Sequence, residues 1–195
     1  MVYTQTGIED ISNTELQEAL ARLPDWRREQ ALRFKHLLGQ KECAFSYLLL
    51  CEGLRQEYGI TAQPHFLIGE HGKPTLQEHP DIHFNISHCK AGIAVAISSA
   101  PVGIDIECIG RMNDSIARYS LNEAEYAQVF QSEDPTTEFT KYWTQKEAVA
   151  KLTGHGITDD LKQLLTIYNN VELTTEVNAP QGYVLSVARF VPEIR

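Results

Sequence analysis

The chain has 195 residues, 43% hydrophobic and 22% charged, with a net charge of −9, the mix of a soluble globular protein long enough to bury a core unaided. The acidic total excludes general nucleic-acid binding, which needs a basic footprint, and no apolar run is long enough for a membrane-spanning helix. Met1-Val2-Tyr3-Thr4-Gln5 lacks the pattern of a secretory signal, and Cys43, Cys51, Cys89 and Cys108 form no CxxC pair, so they read as reduced, mostly buried thiols of a cytoplasmic protein.

The first half reads as helical. Pro24 suits the first turn of a helix starting near Asp25, with Gly39 as its expected end. A second helix is predicted over 40–58, where Ala44, Tyr47, Leu48, Cys51 and Leu54 recur at helical spacing and Gly59 follows as a stop. Arg22, Arg27, Arg28, Arg33, Lys35 and Lys41 face only Asp25 and Glu29 in this stretch. That local basic region reads either as a solvated helix face or as a receiver for an acidic partner or a phosphate-rich ligand. The middle reads as strands at Phe66-Leu67-Ile68, 82–86 and 92–97, with Pro101 as a break and 102–107 as a further strand.

Helices return in the second half. Ser120-Leu121-Asn122-Glu123 reads as a capping box. Asp134-Pro135 should open a long helix to about Thr153, which Gly154 and Gly156 end. Segments 164–171 and 182–190 read as the last two strands. The order predicts an α+β protein of two comparable halves, 1–101 and 102–195, meeting near Pro101; both are net acidic.

The chemistry concentrates in four segments. In Val102-Gly103-Ile104-Asp105-Ile106-Glu107, alternation puts Val102, Ile104 and Ile106 on a buried face and Gly103, Asp105 and Glu107 on the other. Two carboxylates roughly 7 Å apart along a strand can converge on a hard cation such as magnesium, which takes oxygen ligands. Gly103 would leave room for a ligand. The alternative is an edge strand with a solvated acidic face. In the second segment, Trp143, Glu147, Ala150, Lys151 and Gly154 share one helical stripe. Glu147 and Lys151 are then either a surface ion pair or a third acidic group with a phosphate-holding cation beside it. The third, Asn85-Ile86-Ser87-His88, is expected at a turn between two strands. The histidine spacings do not fit zinc. The fourth, Gly72-Lys73-Pro74, is a turn with a basic residue.

Together and in this order, these segments and the Gly154-His155-Gly156 end resemble the 4′-phosphopantetheinyl transferases of the surfactin-synthetase-activating type. The likeness covers about half the chain. Arg33-Phe34 and Lys41 loosely match the family's basic N-terminal helix region. The family often has serine after the histidine, where this chain has Cys89.

The resemblance implies two pseudo-symmetric α+β halves with coenzyme A in the cleft between them. It implies that Asp105, Glu107 and Glu147 coordinate Mg2+ on the pyrophosphate. Glu147 would be the base for a carrier-protein serine, and Lys151 would hold the phosphates. Ser87 and His88 would also contact phosphates. Gly72, Lys73 and Pro74 would border the adenine, and Lys41 and Arg33 would reach toward the 3′-phosphate. Lys146 lies off the Glu147–Lys151 stripe and reads as structural or peripheral. The acceptor would be an acyl or peptidyl carrier protein and the enzyme a monomer. Two other readings of the same residues are a magnesium-dependent phosphohydrolase and a relative that binds coenzyme A without transferring anything.

Overall fold

The computed structural model describes residues 1–69, 72–110, 112–154 and 161–191; His155 and Gly156 of the expected helix end lie outside them. Strand β1 (Val2–Thr6) is followed by α1 (Asn13–Ala21), α2 (Asp25–Leu32), α3 (Leu37–Tyr58), β2 (Phe66–Ile68), β3 (Pro74–Leu76), β4 (His83–Cys89) and β5 (Gly92–Ser98). Then come β6 (Val102–Cys108), α4 (Asp114–Ser120), α5 (Glu123–Gln131), α6 (Pro135–Thr153), α7 (Leu164–Ile167), β7 (Val171–Asn178) and β8 (Tyr183–Phe190). The mixture of helices and small antiparallel sheets is the expected α+β class.

One sheet has the order β1-β5-β4 and the other β6-β8-β7, and β2 and β3 form a separate hairpin. In each sheet the strand that comes first pairs with the strand that comes last, and the last with the one before it. Helix α3 covers the first sheet and α6 the second. Ile8, Leu50, Leu54, Phe84, Ile93, Val95 and Ile97 pack one core under α3. Between the sheets, Ala94 and Ala96 of β5 meet Val102, Ile104 and Ile106 of β6 with Tyr183, Leu185 and Val187 of β8. Small residues on β5 let the two sheets close on each other.

Several boundaries differ from expectation. Helix α2 ends at Leu32, and Gly39 sits inside the first turn of α3. A Cβ there would run into the Phe34 ring, so this glycine admits an aromatic side chain rather than stopping a helix. The box expected at Ser120 forms two residues later, with Asn122 as the cap and Glu125 reaching back to it. Segment 164–171 is mostly α7 and a turn, and the strand begins where it was expected to end, at Val171. Strand β1 and helix α1, with its Ser12–Glu15 capping box, had no counterpart in the sequence reading.

Candidate active site

The site lies where β4, β6 and α6 meet. Strand β6 is buried on both faces. Its apolar face packs between the sheets, and its second face is roofed by α6. Gly103 sets that distance: an added Cβ would stand 2.6 Å from the Leu152 amide nitrogen and nearer still to the Ala148 carbonyl oxygen. The glycine therefore makes room for a helix, not for a ligand. Thr144 in the same helix shares a 2.8 Å hydrogen bond with Ser186 of β8, and Ser186 another of 3.0 Å with Thr175 of β7. Because Ser186 stands opposite Asp105 in the β6–β8 register, α6 is fastened to the sheet directly beside that carboxylate.

Asp105 is 3% exposed. Its Oδ1 accepts a hydrogen bond from Ser87 at 2.7 Å and another from the Lys151 ammonium at 2.6 Å, and Lys151 also donates to Ser87 Oγ at 2.9 Å. Strand β4, strand β6 and helix α6 thus converge on three side chains. Asp105 Oδ2 is buried with no hydrogen-bond partner, and a buried carboxylate oxygen in that state is costly. Glu147, one turn before Lys151, has its carboxyl pushed up to about 7. Burial is the main cause; the Asp105 and Glu107 carboxylates push the same way and Lys151 opposes them.

Asn85, Ser87 and Cys89 share the face of β4 that meets β6. Asn85 Oδ1 accepts the Ile104 amide at 2.9 Å, closing the open edge of β6 across the seam. The Cys89 thiol stands in hydrogen-bonding contact with that of Cys108 at the far end of the same seam, and burial followed by that contact pushes it up to about 12; all four cysteines are free thiols. Ser87 and His88 lie within β4, not at a turn, and so they point to opposite faces. His88 stands 3.4 Å from Glu42, an ion pair only when the imidazole is protonated.

His88 also lines a groove of about 700 Å³ with Trp26, Arg27, Phe66, Gly72 and Pro74. Arg27 is tied inward, to the Cys43 carbonyl at 2.9 Å. Lys41 is 8% exposed and its ammonium binds the Glu9 carbonyl at 2.7 Å; it is not one of the groove residues. Arg33 is exposed on the α2–α3 connection. Gly72 and Pro74 border the groove, but the Lys73 ammonium crosses to the end of α6 and binds the Lys151 and Leu152 carbonyls at 2.6 and 3.3 Å. A smaller cavity of about 280 Å³ beside Glu107 is lined by Ile116, Tyr119, Phe139 and Trp143. Lys146 is fully buried, 2.8 Å from Glu125 and 2.8 Å from the Leu161 carbonyl, which makes it structural, as its place off the stripe indicated.

The structure thus gathers Asp105, Ser87 and Lys151 in contact, with Glu147 and Glu107 close enough to act on one another's charge. Among the described residues no group of three His, Cys, Asp or Glu side chains is already arranged to hold a metal ion; the cation facing Asp105 is Lys151. The donor set still fits a hard divalent cation, because Asp105 Oδ2 is unpartnered and the three carboxylates repel one another. Sequence reasoning gave Asn85 no role, although its spacing of two from Ser87 places both on the seam face. No helix among the described residues is long and apolar enough to cross a membrane.

Residues 101–188 match the family profile of the 4′-phosphopantetheinyl transferase superfamily. The chain is similar to a 4′-phosphopantetheinyl transferase of Bacillus subtilis, 31% identical over 150 residues, 75% of this chain and 67% of that protein. It is also similar to the 4′-phosphopantetheinyl transferase psf-1 of Bacillus pumilus, 32% identical over 134 residues, 67% of this chain and 58% of the relative. A third relative is the 4′-phosphopantetheinyl transferase AcpT of Salmonella typhimurium, 30% identical over 138 residues, 68% of this chain and 70% of the relative.

Proposed function

The chain belongs to the 4′-phosphopantetheinyl transferase superfamily, and from that premise we propose that it moves the 4′-phosphopantetheine arm of coenzyme A onto a serine hydroxyl of an apo carrier protein, releasing 3′,5′-ADP. The observation that carries this reading is the junction of Ser87, Asp105 and Lys151 across the seam, with the Glu147 carboxyl one turn away on the same helix. A carboxylate within reach of the reacting serine is what proton removal needs.

The residues divide the work. Glu147 takes the serine proton, directly or through water, as the serine oxygen attacks the phosphorus bearing the pantetheine arm. The bond from that phosphorus to the bridging oxygen breaks, and the electron pair leaves with 3′,5′-ADP. Lys151 stands between the two halves where its ammonium offsets charge growing on the phosphates. Ser87 orients Lys151 and Asp105, and His88 contacts a phosphate from the groove side. The Gly72-Lys73-Pro74 turn borders the adenine, and Lys41 with Arg33 belongs to the basic region around the 3′-phosphate. Asp105, Glu107 and Glu147 would hold Mg2+, which supplies Lewis-acid neutralisation of the pyrophosphate when bound. Positioning and electrostatics then suffice without a covalent enzyme intermediate.

This reading takes residues 1–101 and 102–195 as two pseudo-symmetric halves of one monomeric enzyme, with coenzyme A in the cleft between them. The strand orders support it, since each sheet joins its first strand to its last and its last to the one before. The test follows 3′,5′-ADP release chromatographically with an apo acyl carrier protein, coenzyme A and magnesium, for the wild type and Asp105→Ala. Release by the wild type and none by the variant is expected. Magnesium should also raise the melting temperature of the wild type but not of Asp105→Ala. A variant with near-normal turnover, or one that keeps the thermal response, would remove Asp105 from the metal site.

A further inference from the structure

Helix α6 ends at a left-handed cap, Gly154, whose amide returns to the Ala150 carbonyl. The carbonyls of the final turn have no partners within the helix. Two of them, of Lys151 and Leu152, are met by an ammonium from the opposite half, that of Lys73. Lys73 starts from a fixed place. The β2–β3 turn is closed by hydrogen bonds from the Gly69 amide to the Lys73 carbonyl and from the Gly72 amide to the Gly69 carbonyl, at 3.0 and 2.9 Å. Its aliphatic stem lies along the cap, with Cδ 3.9 Å from the position a Gly154 side chain would take. Residue 151 is therefore held at both ends, its carbonyl by Lys73 and its ammonium by Asp105 and Ser87.

We propose that Lys73 is a positioning residue: it straps the last turn of α6 to the hairpin that borders the groove, and so sets where the Lys151 ammonium stands. The inference rests on the transferase reading for the role of Lys151, and it differs from a ligand-binding role for the Lys73 side chain, because that side chain is spent on helix carbonyls. A cation at a helix C-terminus also complements the local negative dipole. Burial pushes the Lys73 ammonium below its ordinary value. Because Gly72 and Pro74 line the groove on either side of Lys73, a ligand seated there is mechanically connected to the helix that carries Lys151.

The test uses the full chain with Lys73→Met, Lys73→Arg, Lys151→Ala and the double variant Lys73→Met/Lys151→Ala. Misplacing a charge in an active site can cost on the order of tenfold to a hundredfold in turnover, so Lys73→Met should lose about that much kcat, with KM for coenzyme A within about twofold. Lys73→Arg, which keeps the donors, should recover part of the loss. The double variant should be no slower than Lys151→Ala, because Lys73 acts through that residue. A loss confined to KM, or additive losses in the double variant, would overturn the proposal. Hydrogen exchange reads the strap without any turnover: the amides at 151–154 should exchange faster in Lys73→Met than in the wild type, and unchanged exchange would equally overturn it. If the wild-type chain transferred nothing while those amides were loosened in the variant, the strap would stand and the transferase reading would fall.

Discussion

Replacing Glu147 with glutamine should make the metal-free protein more stable above neutral pH while ending its activity. The carboxyl is carried on α6, where burial and the Asp105 and Glu107 charges push it up from 4.5 to about 7. The folded state therefore holds this proton more tightly than the unfolded chain does. Stability is undisturbed below about pH 4.5, falls as pH rises through the interval, and carries the full cost above pH 7. At about 1.4 kcal/mol per tenfold, the displacement has an upper bound of about 3 kcal/mol. The carboxylate is partly exposed, and solvent screening reduces this to about 1 kcal/mol. Glu147→Gln keeps the shape and removes the charge, so urea unfolding with EDTA present should give about 1 kcal/mol more stability than the wild type at pH 8. The difference should shrink by pH 5. A variant less stable than the wild type at pH 8, or a difference that does not change with pH, would refute the account of a carboxylate disfavoured by burial and by its acidic neighbours. Gains of this kind at the expense of activity are common where function keeps charges in strained company.

Other perturbations separate scaffold from chemistry. Lys146→Met breaks the buried pair with Glu125 and should cost about 3 kcal/mol in urea unfolding by stranding a carboxylate, with turnover per folded molecule unchanged; a loss of turnover at full stability would give Lys146 a chemical role. Gly103→Ala forces α6 off β6 and should cost about 2 kcal/mol or more, and a melting temperature equal to the wild type's would deny that close contact. Asn85→Ala strands the Ile104 amide at the seam and should cost about 1–3 kcal/mol; no measurable change would mean that β6 does not depend on this bond.

The strands and the long helix were legible because their cues are local. Val102 to Glu107 alternates, the stripe from Trp143 to Lys151 has helical period, and Asp134 caps α6 as expected. What escaped depends on partners distant in sequence. Nothing near Gly103 indicates that Ala148 and Leu152 will lie against it, so space for a helix looked like space for a ligand. Gly39 looked like a helix stop because the Phe34 ring that fills the gap folds back only in three dimensions. Ser87 and Asp105 are 18 residues apart and Asp105 and Lys151 46, so their contact follows from the meeting of two sheets rather than from either segment. Lys41 and Lys73 show their charge in the sequence, but the carbonyls their ammoniums engage, of Glu9 and of Lys151 and Leu152, are distant and not legible there. Strand β1 carries no clear strand signal because its short run includes polar Thr4 and Gln5, and its pairing with β5 supplies the stability its side chains lack.

The most direct test of the central claim is intact-protein mass spectrometry of an apo acyl carrier protein incubated with this chain, coenzyme A and magnesium, with an EDTA control. The account predicts a gain of one phosphopantetheine group on the carrier, and no gain when the metal is chelated. No gain with any of several carrier types, while coenzyme A still binds, would contradict it and leave a protein that holds coenzyme A without transferring its arm.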